Sequence, residues 1–294
     1  LGWRAHVSDF NYSVQLNGQW RDARYRKKDW PAISTYKDVY RNGPVDMGQW
    51  GYDCLGMFRN QAEIDKFVED YNITQYMGYK PAQIKPGMLI YRDVRGEQNP
   101  DGSYKDADGI VDDKDMVRLS RRKSNPYGMS LILGGSWKGN SLNANISSSR
   151  GGYSTYAGGS YIFMNENSLD GANLPIYWKD MFVPEDVVDD GGNVVVKQNL
   201  SAKYPNMKYS MNNEASNFWQ ISSFRMYLRN VSLGYTLPKE WLSKVGISSC
   251  KINVTGTNLF SFFNPYPESY TDPLTGYGTF PALRSWTVGL NLSF

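Results

Sequence analysis

A period of two between apolar residues is the sequence feature that most constrains the fold of this chain. Successive side chains of a β-strand point to opposite faces of the sheet, so such a segment has one apolar and one polar face. From Phe10 to Trp20 every second residue is apolar or glycine, and the residues between them carry amides or hydroxyls. The pattern recurs and predicts about seven strands, near residues 1–7, 9–20, 127–137, 140–150, 222–236, 250–261 and 282–294.

The predicted strands are longer than those of most water-soluble sheets. Most run for about 10 to 13 residues, whereas a soluble strand has about 5–6 residues and a tilted transmembrane strand needs about 9–11. The alternative is a soluble β-sandwich or jelly roll, whose polar face would be richer in Lys and Glu than the Asn, Ser, Thr, Gln and Gly found here. Length and composition favour a transmembrane antiparallel β-barrel. Aromatic residues fit its interfacial girdles at Trp20, Trp137, Tyr235 and Trp286.

The connections between the predicted strands alternate between short and long. Tight turns follow residues 7 and 137, whereas about 100 residues separate the second and third strands and about 70 the fourth and fifth. Outer-membrane barrels have short periplasmic turns and longer extracellular loops, which places the C-terminus on the periplasmic side. Between residues 224 and 237 the alternation changes phase near Arg229 and Asn230, which predicts a β-bulge.

The odd number of predicted strands indicates that this chain does not form a complete barrel. Bacterial barrels have an even number of strands, and about eight is the minimum. An open sheet edge in lipid leaves backbone groups without hydrogen bonds, so closure is required. The chain also begins at Leu1 without a signal peptide. We therefore expect it to be part of a longer protein.

The composition excludes several functional classes. The net charge is +3 and the basic residues are scattered, with a short run at residues 121–123, which is not the footprint of a nucleic-acid-binding protein. His6 is the single histidine, so His-based catalysis and clustered zinc ligands have no support. Cys54 and Cys250 lie in no Cys-x-x-Cys pattern and are predicted to be incidental; a disulfide or metal role is the alternative. We predict no enzyme and no nucleic-acid partner.

Several ordered motifs resemble one family. Residues 223–238 read SFRMYLRNVSLGYTLP, similar to the SYLRLKNVTLGYTLP segment of the SusC/RagA family of TonB-dependent outer-membrane transporters. Residues 245–260 resemble the family's LGISSLRVYVSGQNLFTF, and Arg284–Phe294 resembles its closing strand. Upstream, residues 51–64 resemble GYKTDGIFQSQEEI, and residues 86–94 resemble PGDIKYKDVNGDG. The resemblance runs in order over residues 1–294.

The resemblance implies a fold and a function. Residues 1–294 would be the C-terminal part, about the last third, of an all-β barrel of about 22 strands with long extracellular loops. The plug domain and the TonB-contacting segment would lie in the part that is missing here. The family imports oligosaccharides or oligopeptides with a SusD-like surface lipoprotein, across the outer membrane of Gram-negative, Bacteroidetes-like bacteria. The alternatives are a soluble β-rich glycan-binding module and a passive porin-like channel.

An acidic segment predicts a calcium loop. Asp106–Asp115 resembles positions 3 to 12 of an EF-hand loop, with glycine at position 6 and a backbone carbonyl ligand at position 7. Position 1 falls on Tyr104, which cannot ligate. The family resemblance implies that Asp93 takes position 1 and that Arg95–Lys105 is an inserted hairpin. The alternative is a solvated loop without an ion. The predicted Ca²⁺ ligands are Asp93, Asp106, Asp108, the carbonyl of Ile110, Asp112 and Asp115.

The sequence also predicts an assembly signal at the end of the chain and packing among the aromatic residues of the loops. The end of the chain resembles the β-signal that the outer-membrane assembly machinery reads, carried by Trp286, Leu290, Leu292 and Phe294. Aromatic residues in the predicted loops are expected mainly to pack against one another, since long loops need such packing to stay ordered. No substrate-binding residue is assigned among Trp178, Phe182, Tyr204, Phe218, Trp219, Phe263, Tyr266, Tyr270 and Tyr277.

Overall fold

A computed structural model describes residues 1–24, 26, 45–155, 180–242, 244, 246–265 and 282–294. Seven long strands form one antiparallel sheet. The connections after the second and fourth of these strands supply a separate packed region, called here the loop core (residues 49–120 and 180–222). No helix in the described ranges is long and apolar enough to cross a membrane.

The elements follow one another along the chain with these bounds. The helices are α1 (Gln61–Asp70) and α2 (Lys239–Leu242), and short 3-10 turns span Pro81–Gln83, Asp113–Asp115, Ser210–Asn213 and Asn217–Trp219. The strands are β1 (Gly2–Val7), β2 (Phe10–Trp20), β3 (Gln49–Gly51), β4 (Cys54–Met57), β5 (Gln75–Tyr76), β6 (Leu89–Tyr91), β7 (Ile110–Val111), β8 (Val117–Ser120), β9 (Tyr127–Trp137), β10 (Asn140–Arg150), β11 (Tyr153–Thr155), β12 (Val187–Val188), β13 (Val194–Val196), β14 (Gln220–Ser222), β15 (Arg225–Thr236), β16 (Ser249–Phe263) and β17 (Ser285–Ser293).

The long sheet has the strand order β1-β2-β9-β10-β15-β16-β17. This order follows the chain, and the seven predicted strands are confirmed. Two predicted strand starts lie too early: β15 begins at Arg225 rather than near residue 222, and β17 begins at Ser285 rather than near residue 282. Ser222 instead pairs with Tyr153 of β11 in a small separate sheet. Within the described residues, β1 and β17 are the two edges, so this sheet does not close on itself.

Across all seven strands, the register of the sheet keeps the apolar side chains in one set of rows and the polar side chains in the other. Because side chains alternate between faces, a slip of one residue would exchange the two faces of a strand. No such slip occurs at the centre of the sheet. One row of aligned residues is Trp3, Val14, Leu133, Ala144, Val231, Gly256 and Trp286, and the next row, on the opposite face, is Arg4, Ser13, Gly134, Asn143, Ser232, Thr255 and Thr287.

A β-bulge keeps β15 in phase with its neighbour. Asn230 is opposite Asn145, but Leu228 is opposite Ile146, so Arg229 is the extra residue. The bulge returns Leu228 to the apolar face although the alternation in the sequence changes phase there. The predicted bulge near Arg229 is therefore confirmed.

The turn between β9 and β10 is as tight as predicted. Lys138 and Gly139 both have positive φ, at 44° and 84°. Two consecutive left-handed residues match the type I′ hairpin turn, whose twist fits the twist of the flanking strands. A Cβ on Gly139 would lie 2.8 Å from the carbonyl oxygen of Thr236, so the neighbouring strand also requires glycine here.

Helix α1 begins with a reciprocal cap. The side-chain oxygen of Asn60 accepts from the Glu63 N–H at 3.0 Å, and the Glu63 carboxylate accepts from the Arg59 N–H at 2.7 Å. The Asn60 bond satisfies an N–H group that a helix N-terminus leaves free, and the Glu63 bond holds the residue before the cap. Ile64 and Phe67, three residues apart, then lie on the buried side of the helix.

Aromatic side chains fill the loop core. Phe58, Phe67 and Tyr76 meet edge to face, with ring centroids 5.3 to 6.1 Å apart. In the second connection, Phe182, Tyr204 and Trp219 are buried and Phe218 packs on Trp219. The predicted mutual packing is confirmed for these residues. Phe263 was expected to lie in a loop, but it pairs with Met226 of β15 and is the last residue of β16. Trp178, Tyr266, Tyr270 and Tyr277 lie outside the described residues.

Candidate functional site

The apolar face of the long sheet is uncovered in the described part of the chain. The packed hydrophobic cluster contains no residue of the seven long strands. Large side chains on this face remain exposed, for example Trp3 at 64%, Leu233 at 56% and Val288 at 72%. A soluble monomer rarely exposes a contiguous apolar surface of this extent, and such a surface marks contact with a membrane or a protein.

Aromatic residues lie at both ends of the apolar face. Trp20 is opposite Tyr127 at one end, and Trp137 and Tyr235 lie opposite Asn140 at the other. Trp20, Tyr127, Trp137 and Tyr235 are all exposed. This is the placement of the aromatic girdles that flank the apolar band of an outer-membrane barrel.

The predicted assembly signal lies on edge strand β17 and just beyond it. Trp286, Leu290 and Leu292 share the apolar face, and each is exposed. Phe294 follows the strand and is 88% exposed. The four residues are thus presented together at a free sheet edge, and their role as an assembly signal stays a prediction.

The opposite face of the sheet is polar but carries few charges. Its side chains bond across strands: Thr255 donates to Ser232 at 3.0 Å and Asn291 to Asn253 at 3.2 Å. Asn17 donates to the Ser130 hydroxyl at 3.2 Å. Neutral amides and hydroxyls suit a hydrated surface, since they form hydrogen bonds with water or with a polar ligand and need no counterion.

In the part of the chain that the structure describes, the histidine and the two cysteines show no arrangement for nucleophilic catalysis. His6 lies exposed in β1, and Cys54 and Cys250 are free thiols, so no disulfide joins them. Burial raises the pKa of the Cys54 thiol to about 11. A thiol with a raised pKa is a poor nucleophile because the reactive species is the thiolate.

The predicted calcium ligands come from one loop of the loop core. Asp93 and Asp115 are its two buried carboxylates. Asp93 Oδ2 accepts from the Gly109 N–H at 2.7 Å. Asp115 Oδ1 accepts from the N–H groups of Val94 and Arg95, and its Oδ2 accepts from Asp112 N–H at 2.9 Å. The structure therefore brings Asp93 to the acidic segment.

Burial and neighbouring negative charges raise the pKa of both inner carboxyl groups. For Asp93 the largest cause is desolvation; the Gly109 N–H opposes it, and the charges of Asp115 and Asp108 raise the pKa further. For Asp115 desolvation again dominates, with the charge of Asp112 adding to it against three backbone N–H donors. A cation placed among these groups would relieve both effects.

The outer members of the predicted set are less organised. Asp106 and Asp108 are exposed, and Asp108 Oδ1 accepts from the Ile110 N–H at 3.0 Å. Asp112 accepts from the Lys114 ammonium at 2.5 Å. Among the described residues, no three His, Cys, Asp or Glu side chains already converge at ligand distance. The calcium site stays a prediction, with its inner pair in place.

Comparisons with known proteins give one sequence relative. No family model matches the chain. Over 81 residues the chain is 35% identical to "TonB-dependent receptor P3" of Formosa agariphila, which covers 23% of this chain and 8% of the receptor. The chain thus spans only a small part of that protein's length.

Comparison of folds covers the whole chain. The structure aligns with a chain of the RagAB peptide importer in the "closed-closed" state with a TM-score of 0.62 at 16% identity, covering 100% of this chain and 29% of that one. The "open-open" state gives 0.59 at 15% identity and covers 28% of its chain. A further structure of the RagAB peptide transporter gives 0.60 at 16% identity.

The similar proteins are a receptor and a transporter rather than enzymes, which agrees with the prediction that this chain is not an enzyme. A TonB-dependent receptor and the RagAB importer are the kind of protein that the motifs at residues 51–64, 86–94, 223–238 and 245–260 indicate. This chain thus has the fold of part of the RagAB importer along its entire length and shares sequence over 81 residues with a TonB-dependent receptor, in agreement with its resemblance to the SusC/RagA family of TonB-dependent transporters.

Proposed function

We propose that residues 1–294 form the C-terminal part of the wall of a TonB-dependent outer-membrane importer of large nutrients. The observation that carries this proposal is the two-faced sheet: an uncovered apolar face with aromatic ends, backed by a neutral polar face. The alignment of the whole chain with 29% of a peptide importer chain supports it. The cargo is an oligosaccharide or an oligopeptide.

The edges of the sheet support a larger barrel. Unpaired backbone groups at a sheet edge are costly in lipid, and β1 and β17 are the edges here. Further strands of the same protein would pair with both edges and close a barrel of about 22 strands. The plug and the segment that contacts TonB would belong to the remaining part of the protein, in the outer membrane of a Gram-negative, Bacteroidetes-like bacterium.

A valine hairpin in the second connection is our candidate contact for a SusD-like surface lipoprotein. β12 and β13 pair through Val187 with Val196 and Val188 with Val194, and all five valines of the hairpin are exposed. Asp189 holds the tip by accepting from the N–H groups of Gly191 and Asn193 at 2.9 and 2.8 Å. These donors lower the pKa of Asp189. The hairpin is thus a preordered apolar projection, and the RagAB structures show that similar chains occur in a complex.

Replacing Val188 and Val195 together with threonine is expected to weaken lipoprotein binding by about 10-fold or more. Threonine keeps the β-branched shape but replaces a methyl by a hydroxyl, which removes apolar area worth about 1 kcal/mol per site. The measurement is co-purification and titration of the full-length transporter with its lipoprotein partner. Val45→Thr, at a valine 45% exposed elsewhere, is the control and should bind as the native protein does. Unchanged binding by the double variant would remove the hairpin from the interface.

Uptake by whole cells tests the proposed function. A strain that lacks the full-length protein should lose uptake of either labelled oligopeptides or labelled oligosaccharides, and the cargo that is lost identifies the substrate class. Restoring the gene should restore uptake, and collapsing the proton gradient should abolish it. Uptake that persists without the gradient would indicate a passive channel. A full-length protein that stays monodisperse in buffer without detergent would indicate a soluble binding module instead.

A further inference from the structure

We propose that Asp93 and the segment Asp106–Asp115 together bind one Ca²⁺ ion in the loop core, with an eleven-residue hairpin, Arg95–Lys105, inserted between the first and second ligands. The proposal does not depend on the transport function. It rests on three geometric observations: the closed base of the hairpin, the turn at Gly109, and a buried carboxylate oxygen that lacks a partner.

The base of the inserted hairpin is closed by backbone hydrogen bonds. Gly96 N–H donates to the Lys105 carbonyl and Lys105 N–H donates to the Glu97 carbonyl, both at 3.0 Å. The chain therefore leaves the loop after Val94 and returns to it at Asp106. The two ends are close, since a Cβ on Gly96 would lie 3.0 Å from the Asp106 carbonyl oxygen. An insertion closed in this way leaves the ligand order of a calcium loop intact.

Gly109 makes the sharp turn that an EF-hand loop needs at position 6. Its φ is +78°, and a Cβ there would lie 2.4 Å from the carbonyl oxygen of Asn72. Only glycine fits both requirements. Its N–H donates to Asp93 Oδ2 at 2.7 Å, which ties the middle of the loop to the residue at its start. This is the arrangement expected if Asp93 is the first ligand.

One oxygen of Asp93 has no hydrogen-bond partner. The residue is only 8% exposed, and its Oδ1 is buried without a partner, whereas Oδ2 is bound by Gly109. A buried carboxylate oxygen normally has a donor or a metal ion beside it, because desolvation without a partner is costly. Asp108 and Asp115 are close enough for their charges to act on Asp93. A cation at Oδ1 would therefore meet further oxygen ligands.

The remaining predicted ligands do not yet converge in the described residues, so Ca²⁺ binding would require rearrangement within the loop. Asp106 and Asp108 are exposed, and Asp108 would exchange its bond from the Ile110 N–H for the ion. Lys114 is partly exposed and bonds Asp112, so a Ca²⁺ ion would displace its ammonium. Asp115 stands at position 12, where the shorter Asp reaches the ion less easily than Glu. We therefore expect a dissociation constant of about 10⁻⁴–10⁻³ M, the range of extracellular calcium modules, and preference over Mg²⁺, which demands a stricter octahedron.

Calcium titration of the full-length protein in detergent tests the proposal. Calorimetry and thermal unfolding should show one site, with a rise in Tm that Ca²⁺ produces at about millimolar concentration and K⁺ does not. Asp93→Asn should weaken Ca²⁺ binding at least about 10-fold. Asp113→Asn is the matched control: it removes one charge from the same loop at position 10, which supplies no ligand, and should change the affinity less than about twofold.

A second variant covers the case in which Asp93→Asn does not fold. Asp108 is exposed, so Asp108→Asn should fold normally and still weaken Ca²⁺ binding about 10-fold, because Asn is a poorer ligand than a carboxylate. The proposal is overturned if Ca²⁺ leaves the Tm of the native protein unchanged. The proposal is also overturned if the Asp108→Asn and Asp113→Asn variants bind Ca²⁺ with the same affinity.

Discussion

Arginine in place of Leu133 is expected to lower the unfolding free energy of the full-length protein in a bilayer by about 2–4 kcal/mol. Leu133 lies in the middle of β9 on the apolar face, between Val14 and Ala144. If this face contacts lipid, the guanidinium must either enter the hydrocarbon layer or distort it. The measurement is a denaturant titration of the protein in phospholipid vesicles, followed by tryptophan fluorescence.

The adjacent residue, Ile132, is a matched control for this prediction. It is also aliphatic and lies in the same strand, but it points to the polar face between Gln15 and Asn145. Ile132→Arg would place its charge against a hydrated wall, and we expect a loss of at most about 1 kcal/mol. Equal losses in both variants would contradict a lipid-facing sheet. A larger loss for Ile132→Arg would place lipid on the opposite face.

Alanine in place of Asn212 is expected to open the loop core, with a loss of about 3 kcal/mol or more in its local stability. Asn212 is fully buried and joins two connections that are far apart in sequence. Its side-chain oxygen accepts from the Leu89 N–H at 2.7 Å, and its amide donates to the carbonyls of Gly87 and Asn206 at 2.8 and 2.7 Å. Alanine would leave three buried backbone groups without this partner.

Hydrogen exchange of the full-length protein measures this effect locally. The Leu89 amide should exchange at least about 100-fold faster in Asn212→Ala, because a local opening free energy controls the rate. Asn213→Ala is the control, since the side-chain oxygen of Asn213 has no hydrogen-bond partner and its loss should cost little. Native-like protection of Leu89 in Asn212→Ala would show that the two connections are held together by other contacts.

The architecture of the sheet was predictable because it depends on local pattern. Alternation identifies a strand and assigns its faces without reference to the rest of the chain. The phase change near Arg229 located the bulge for the same reason, since an extra residue is needed to return Leu228 to the apolar face. The start of β15 was misplaced because Ser222 pairs with Tyr153 of β11 in another sheet, and that choice of partner is a tertiary one.

The loop core was not predicted, although the sequence contains part of the pattern that indicates it. Asn60 followed by Glu63, with Ile64 and Phe67 after them, is a helix-start pattern that would have located α1. The packing of the two connections had no comparable signal. Leu89 and Asn212 are 123 residues apart in sequence, and no periodicity links residues at that separation.

The sequence by itself determined the strands, their faces, the bulge and the acidic spacing from Asp106 to Asp115, because each of these is a property of neighbouring residues. Only the tertiary structure decided that the long connections pack into one core and that Asn212 joins them. It also brings Asp93 to the acidic loop, as the family resemblance implied. Such contacts form between segments that are distant in the sequence. They depend on the entropy cost of bringing the segments together and on whether their buried polar groups find hydrogen-bond partners.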